Sequence, residues 1–150
     1  MRVELFGVDD DERMARAFEV RREVFVREQG VPEEEEIDAH DRSDASACHV
    51  LLALDGCPAA AGRFFARPDG AVQIGRMAVR AEFRGRGCGR AMLDALVAEA
   101  GKRGYARVVL HAQTHARGFY ERAGFTAHGP EFLDAGIAHV EMERALGGAE

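Results

Sequence analysis

The residues with the plainest chemical content lie at Arg84-Gly85-Arg86-Gly87-Cys88-Gly89-Arg90. Glycines let a backbone turn tightly and bring its N–H groups close to an anion. Arginines add charge-assisted hydrogen bonds. The strand-like stretch Met77-Ala78-Val79 precedes this loop, and a helical apolar pattern starts at Cys88. The loop therefore sits at a helix N-terminus, whose partial positive charge suits a phosphate or pyrophosphate. Two familiar phosphate loops do not fit. G-x-x-x-x-G-K-[ST] counted from Gly85 ends on Arg90, and no Gly-Lys-Ser/Thr occurs anywhere. G-x-G-x-x-G/A accepts Gly85 and Gly87 but again meets Arg90, and the next strand ends at Leu110-His111 with no acid for a ribose hydroxyl.

Charge is unevenly placed. Five arginines (76, 80, 84, 86 and 90) stand against Glu82 between Arg76 and Arg90. Seven acids (Glu28, Glu33, Glu34, Glu35, Glu36, Asp38 and Asp41) run from Glu28 to Asp41 with no Lys or Arg. That acidic run reads first as an ordinary solvated loop, and second as a surface that steers a cationic amine. The net charge of -6 disfavours a general nucleic-acid binder. Cys48, Cys57 and Cys88 form no CxxC pair and read as reduced thiols. No His, Cys, Asp or Glu cluster has ligand spacing, so no metal is expected. No apolar run approaches the roughly 20 residues needed to cross a bilayer, and no signal peptide is visible, so a cytoplasmic protein without membrane contact is expected.

The elements that must position these residues follow from periodicity. With 150 residues, 47% apolar, the chain suits one domain, 1–150, with one core. Residues 2–8 predict a strand. Glu12 to Gln29 predicts a helix or broken helix pair, ended by Gly30-Val31-Pro32. Arg21 lies on that helix's apolar stripe; it either bonds the acidic segment or snorkels to water, and the second reading is preferred. Residues 31–47 read as an irregular loop. Strands at 48–55, 59–67 and 71–80, divided by Asp55-Gly56-Cys57-Pro58 and Pro68-Asp69-Gly70, suggest an antiparallel meander. The loop then opens a helix over 88–101, and Val108-Val109-Leu110 reads as a buried central strand. A helix at about 114–123 and two strands in the tail complete the order β-α-β-β-β-α-β-α-β-β.

On these elements the chain resembles the GCN5-related N-acetyltransferase (GNAT) superfamily. Arg84, Gly87 and Gly89 match the fixed positions of [Q/R]-x-x-G-x-[G/A] at a strand-to-helix step. Ala116-Arg117-Gly118-Phe119-Tyr120-Glu121-Arg122-Ala123-Gly124-Phe125 resembles the A-x-x-F-Y-x-x-x-G-F signature. Arg21 to Pro32, with Glu36-Ile37-Asp38 and Asp41, is similar to an ElaA/YjcF-like bacterial subgroup.

The resemblance implies an α+β fold: a mixed, mostly antiparallel sheet of six to seven strands with about four helices, splayed between its fourth and fifth strands. It implies acetyl-CoA as co-substrate. Met77, Ala78 and Val79 would bond the pantetheine arm, Arg84 to Arg90 would hold the pyrophosphate, and Phe119 would line the donor site. The implied reaction is acyl transfer to a primary amine of a small-molecule or peptide acceptor in a ternary complex. Tyr120 is the expected general acid, with an N–H of Ala78 or Val79 for the oxyanion. For the base, Glu35, Glu36, His111, His139 and water all stay open, with Glu36 and His111 at the head. A non-catalytic acyl-CoA-binding regulator is the alternative. The terminal strands could also pair with a second copy as a homodimer.

Overall fold

The computed structural model describes residues 1–146; residues 147–150 of the expected 1–150 domain lie outside them. Seven strands form one sheet: β1 (Arg2–Phe6), β2 (Cys48–Leu54), β3 (Cys57–Ala66), β4 (Val72–Val79), β5 (Arg107–Gln113), β6 (Thr126–Asp134) and β7 (Ile137–Ala145). Their spatial order is β1-β2-β3-β4-β5-β7-β6. Every neighbouring pair is antiparallel except β4 with β5, where a crossover helix returns the chain in the same direction; short turns join β2 to β3, β3 to β4 and β6 to β7. The mixed, mostly antiparallel α+β architecture is the one expected.

Helix α1 (Asp11–Arg21) is capped by the Asp10 side chain, which accepts from the Arg13 amide. It does not end at Arg21 but widens into a π-helix over Arg22–Glu28. The Gln29 amide there reaches back five residues to the Val24 carbonyl, 3.0 Å away. Residues 31–47 are more ordered than the expected irregular loop. Within them α2 (Glu33–Glu36) and α3 (Ala39–Arg42) are single turns, the latter closed by a reciprocal capping box of Asp38 and Asp41. Helices α4 (Cys88–Lys102) and α5 (Arg117–Arg122) follow the glycine loop and β5.

Two apolar layers sandwich the sheet. Met92, Leu93, Leu96, Val97 and Ala100 of α4 pack on Val50, Leu52, Phe64, Ile74, Val108 and Leu110. On the other face Met14, Ala17, Val20 and Val24 cover Leu51, Ala61 and Ala78.

The feature that makes a site is the behaviour of β4. Its Val72, Gln73 and Ile74 pair with Val108, Val109 and Leu110 of β5, and the pairing stops there. On its other edge β4 stays joined to β3 as far as Val79, opposite Ala60. From Gly75 onward β4 and β5 therefore diverge, and a slot opens between them. An extra residue in β4 marks the departure: Ala61 faces Ala78 but Arg63 faces Gly75, and Arg76 takes a left-handed φ of 54°. This bulge resets side-chain parity. Val72 and Ile74 face α4, whereas Ala78 now faces α1. Met77 is accommodated because β3 carries Gly62 beside it; a Cβ there would meet the Met77 Sδ at 2.6 Å.

Candidate functional site

Val79 ends β4 at the slot. The Arg80 amide bonds the Ala59 carbonyl of β3 at 2.9 Å. Hydrogen-bonding direction alternates along an antiparallel strand, so the N–H and C=O of Val79 turn away from β3 and into the slot. The Val79 carbonyl accepts there from Arg84 Nε at 2.9 Å. Beyond a short turn at Ala81–Phe83, Gly85 and Gly87 both adopt left-handed φ, 78° and 83°. Gly87 is the residue from which α4 starts, and no side chain caps that helix. Its first internal bond runs from the Ala91 amide to the Gly87 carbonyl. The amides of residues 85–90 thus find no acceptor among the described residues, at the positive end of a 15-residue helix.

A cleft of about 280 Å³ lies over these amides, lined by Val79, Phe83, Arg84, Gly85, Gly87, Cys88, Gly89, Arg90 and Phe119. Eight of the eleven residues expected at a donor site are therefore brought together. The side chains of the other three, expected to act through backbone groups, lie outside that lining. Ala78 is buried toward α1, Met77 packs on the α4 layer, and the Arg86 guanidinium sits over the Phe83 ring at 5.9 Å. Phe83 is the wall residue that motif reasoning missed; its place just upstream of the motif was the available signal.

The arginines of the loop are tied back to acids. Arg84 grips Glu28 with both terminal nitrogens, at 2.7 and 2.6 Å. That bonding raises the Arg84 pKa and lowers that of Glu28. Arg80 forms the same two-pronged pair with Glu23, at 3.0 and 2.9 Å. Both acids come from the π-helix, which is thereby latched across the end of β4.

Tyr120 packs on the α4-side layer, edge-on to Phe119 at 5.0 Å and to Phe125 at 6.1 Å. Burial pushes its phenol pKa upward. The group stays protonated at neutral pH, as a proton donor must.

The residues expected to supply a base fall in separate places. His111 stands on β5 one residue past Leu110, at the start of the slot wall, one-third exposed, with Nε2 3.2 Å from Glu141. His139 is buried, and its Nδ1 contacts the Ile137 carbonyl at 2.7 Å. Glu35 is exposed. Glu36 is only 3% exposed and accepts from Arg21 Nε at 2.7 Å.

Glu36 belongs to a buried ion network, which answers to the less preferred of the two readings of Arg21. Arg21 is 1% exposed and does not snorkel; it bonds Glu36 and holds both carboxylate oxygens of Asp41, at 2.7 and 2.9 Å. Arg63 bonds Asp38 with two nitrogens and shares Asp41. Arg76, projecting from the β4 bulge, donates to the Glu36 carbonyl at 3.1 Å. Burial works against the charge on Asp41, but the Arg21 hydrogen bonds and the Arg21 and Arg63 charges outweigh it and hold Asp41 well below the usual carboxylate range. The acidic run is therefore not a solvated loop over Glu36 to Asp41. Desolvated arginines demand such partners, and among the acids of the run Glu28 and Glu33 to Glu35 remain exposed.

Comparison with known proteins agrees with this geometry. The family model described as an acetyltransferase (GNAT) domain matches residues 14–146. The uncharacterized N-acetyltransferase YjcF of Bacillus subtilis is 38% identical over 134 residues, 89% of this chain and 93% of that protein. Among solved structures, an acyl-CoA N-acyltransferase from Pseudomonas aeruginosa superposes with a TM-score of 0.86 at 30% identity, covering 96% of this chain and 99% of the other. Escherichia coli ElaA gives a TM-score of 0.84 over 95% of this chain and 98% of its own; at 24% identity it speaks for the fold alone.

Proposed function

This chain belongs to the acetyltransferase (GNAT) family, and on that premise we propose that it moves an acetyl group from acetyl-CoA to a primary amine, directly and within a ternary complex. The observation that carries the reading is the junction of slot and loop. β4 parts from β5 after Ile74 and ends at Val79, and one short turn further on the unpartnered amides of residues 85–90 lead into the N-terminus of α4. A pyrophosphate on those amides would satisfy donors that the protein leaves free.

The donor thioester supplies the acyl group and a thiolate leaving group. The chain's own residues do the rest. Amides 85–90 and Arg84 bind and orient the donor. The Val79 N–H, turned into the slot, is placed to steady negative charge on the acyl oxygen. Tyr120, protonated and desolvated, returns a proton to sulfur. Glu36, expected at the head of the base candidates, is better suited to holding Arg21. Its Oε2 is already taken up by Arg21 Nε, in a site closed to solvent.

Calorimetric titration with acetyl-CoA tests the donor half, and a screen of primary amines for thiol release tests the transfer. Saturable binding abolished by Gly87→Glu, with thiol release dependent on one class of amine, is the expected result. Absence of binding at millimolar acetyl-CoA would refute the reading.

A further inference from the structure

A row of polar side chains crosses the face of β5, β7 and β6 that lies opposite α4 and α5. His111 is in register with Glu141, and Glu141 with His128. Directly opposed residues share a face. Leu110, Ala112, Val140 and Met142, their neighbours in sequence, all point to the α4-side core. Glu141 stands between the two rings: its Oε1 is hydrogen-bonded to His111 Nε2 at 3.2 Å, and its Oε2 lies 2.9 Å from His128 Nε2. Glu143 lies 3.5 Å from His128 Nε2 and 3.2 Å from Arg107 Nη1. Phe132 meets the His111 ring edge-on at 5.2 Å and stacks on His139 at 5.8 Å.

A carboxylate only accepts hydrogen bonds, so the ring nitrogen that faces it must carry the proton. His111 is thereby held with Nε2–H toward Glu141 and a lone pair on Nδ1. Strand alternation puts His111 on the face opposite Tyr120, and the slot between β4 and β5 joins the two faces. A proton acceptor and a proton donor on opposite sides of one opening suit a transfer that passes through it. The other expected bases are less suited. Glu36 is engaged by Arg21, and the His139 Nδ1 is taken up by a carbonyl in a buried ring.

We propose that His111 accepts the amine proton and that Glu141 is its positioning residue, braced by His128; this rests on the acyltransferase reading above. The bond formed is amine nitrogen to acyl carbon, and the bond broken is acyl carbon to sulfur. The proton leaving nitrogen goes to His111 Nδ1, and the thiolate takes its proton from Tyr120.

Two measurements test it. Nitrogen-15 NMR of the imidazoles in the wild-type protein should show His111 as the Nε2–H tautomer. Glu141→Gln replaces two acceptors by one acceptor and one donor, so the His111 ring signals should move toward a tautomer mixture. Kinetics at saturating acetyl-CoA with the best amine of the screen should show kcat about tenfold lower in Glu141→Gln. In His111→Ala the loss should be about a hundredfold. The acetyl-CoA Kd, which reports the fold and the donor site, should stay at the wild-type value. Unchanged His111 signals, or wild-type kcat in Glu141→Gln, would overturn the proposal. A wild-type protein that binds acetyl-CoA but acetylates no amine would instead overturn the acyltransferase reading, and this inference with it.

Discussion

Tyr120 and Arg84 are the residues whose chemistry depends most on their surroundings. Burial raises the Tyr120 pKa, so its hydroxyl is available to donate throughout the neutral range. Tyr120→Phe removes that proton and little volume. Turnover should fall by about 10²- to 10⁴-fold, the span of general acid catalysis, with the acetyl-CoA Kd unaltered. A mutant as fast as wild type would reduce Tyr120 to a packing residue. Arg84 was legible from its motif, but its partner was not, because Glu28 lies 56 residues away in sequence. Nothing in a local pattern pairs two charges that only the fold brings together. Glu28 ties down an arginine that would otherwise meet an anion in the loop. Glu28→Gln should therefore tighten acetyl-CoA binding by about two- to fivefold, the scale of one exposed ion pair. Weaker binding in calorimetry would show that the pair instead holds the loop in its binding shape.

At the scale of elements, periodicity carried most of what was needed. Helix α4 was legible because Met92, Leu93, Leu96, Val97 and Ala100 repeat at helical spacing, and β5 because Val108-Val109-Leu110 is apolar on both faces. Two irregularities were not legible. The π-helix at Arg22–Glu28 has the composition of an ordinary helix, and its widening shows in backbone bonds such as that of the Gln29 amide to the Val24 carbonyl. The bulge at Arg76 uses an arginine in left-handed conformation, where a sequence reader looks for glycine. Both lie beside the slot, where β4 must leave β5. The clue that was present is Gly62, set between Ala61 and Arg63 in β3 without a turn to explain it. It makes room for Met77 past the bulge. Gly62→Ala brings a methyl group to 2.6 Å from the Met77 sulfur. It should lower stability by about 1–3 kcal/mol, the cost of overpacking a core. A shift in the urea midpoint at constant m-value checks this, and an unshifted midpoint would mean that Met77 turns aside freely.

Across the whole molecule, the ion network joins pieces that no window of sequence connects. Arg21 comes from α1, Arg63 from β3, Arg76 from the bulge of β4, and Glu36, Asp38 and Asp41 from the segment that carries α2 and α3. Arg21, Arg63, Glu36 and Asp41 are desolvated, so none of these four is tolerable without the others, while Arg76 and Asp38 keep about a third of their side chains in water. The network thus sets where that segment sits relative to β4, and with it the shape of the side opposite α4. Its energetics carry a definite sign with pH. The folded-state pKa values of Asp38 and Asp41 are depressed, burial opposing the shift and the arginines prevailing. Both carboxylates therefore add stability that is fully present above the ordinary aspartate pKa of about 3.9, and this is lost as pH falls through their lower folded values. The unfolding free energy should hold level from neutrality to about pH 5 as far as these groups set it, then drop steeply. Asp41→Asn leaves Arg21 and Arg63 buried beside a neutral amide. It should cost about 3–5 kcal/mol at pH 7, and it should flatten the acid limb because the titrating group is gone. Urea unfolding of both proteins at a series of pH values separates the two effects. A mutant that is destabilised but keeps the wild-type acid slope would place the pH dependence in other carboxylates, and one that is not destabilised would show that the arginines find water.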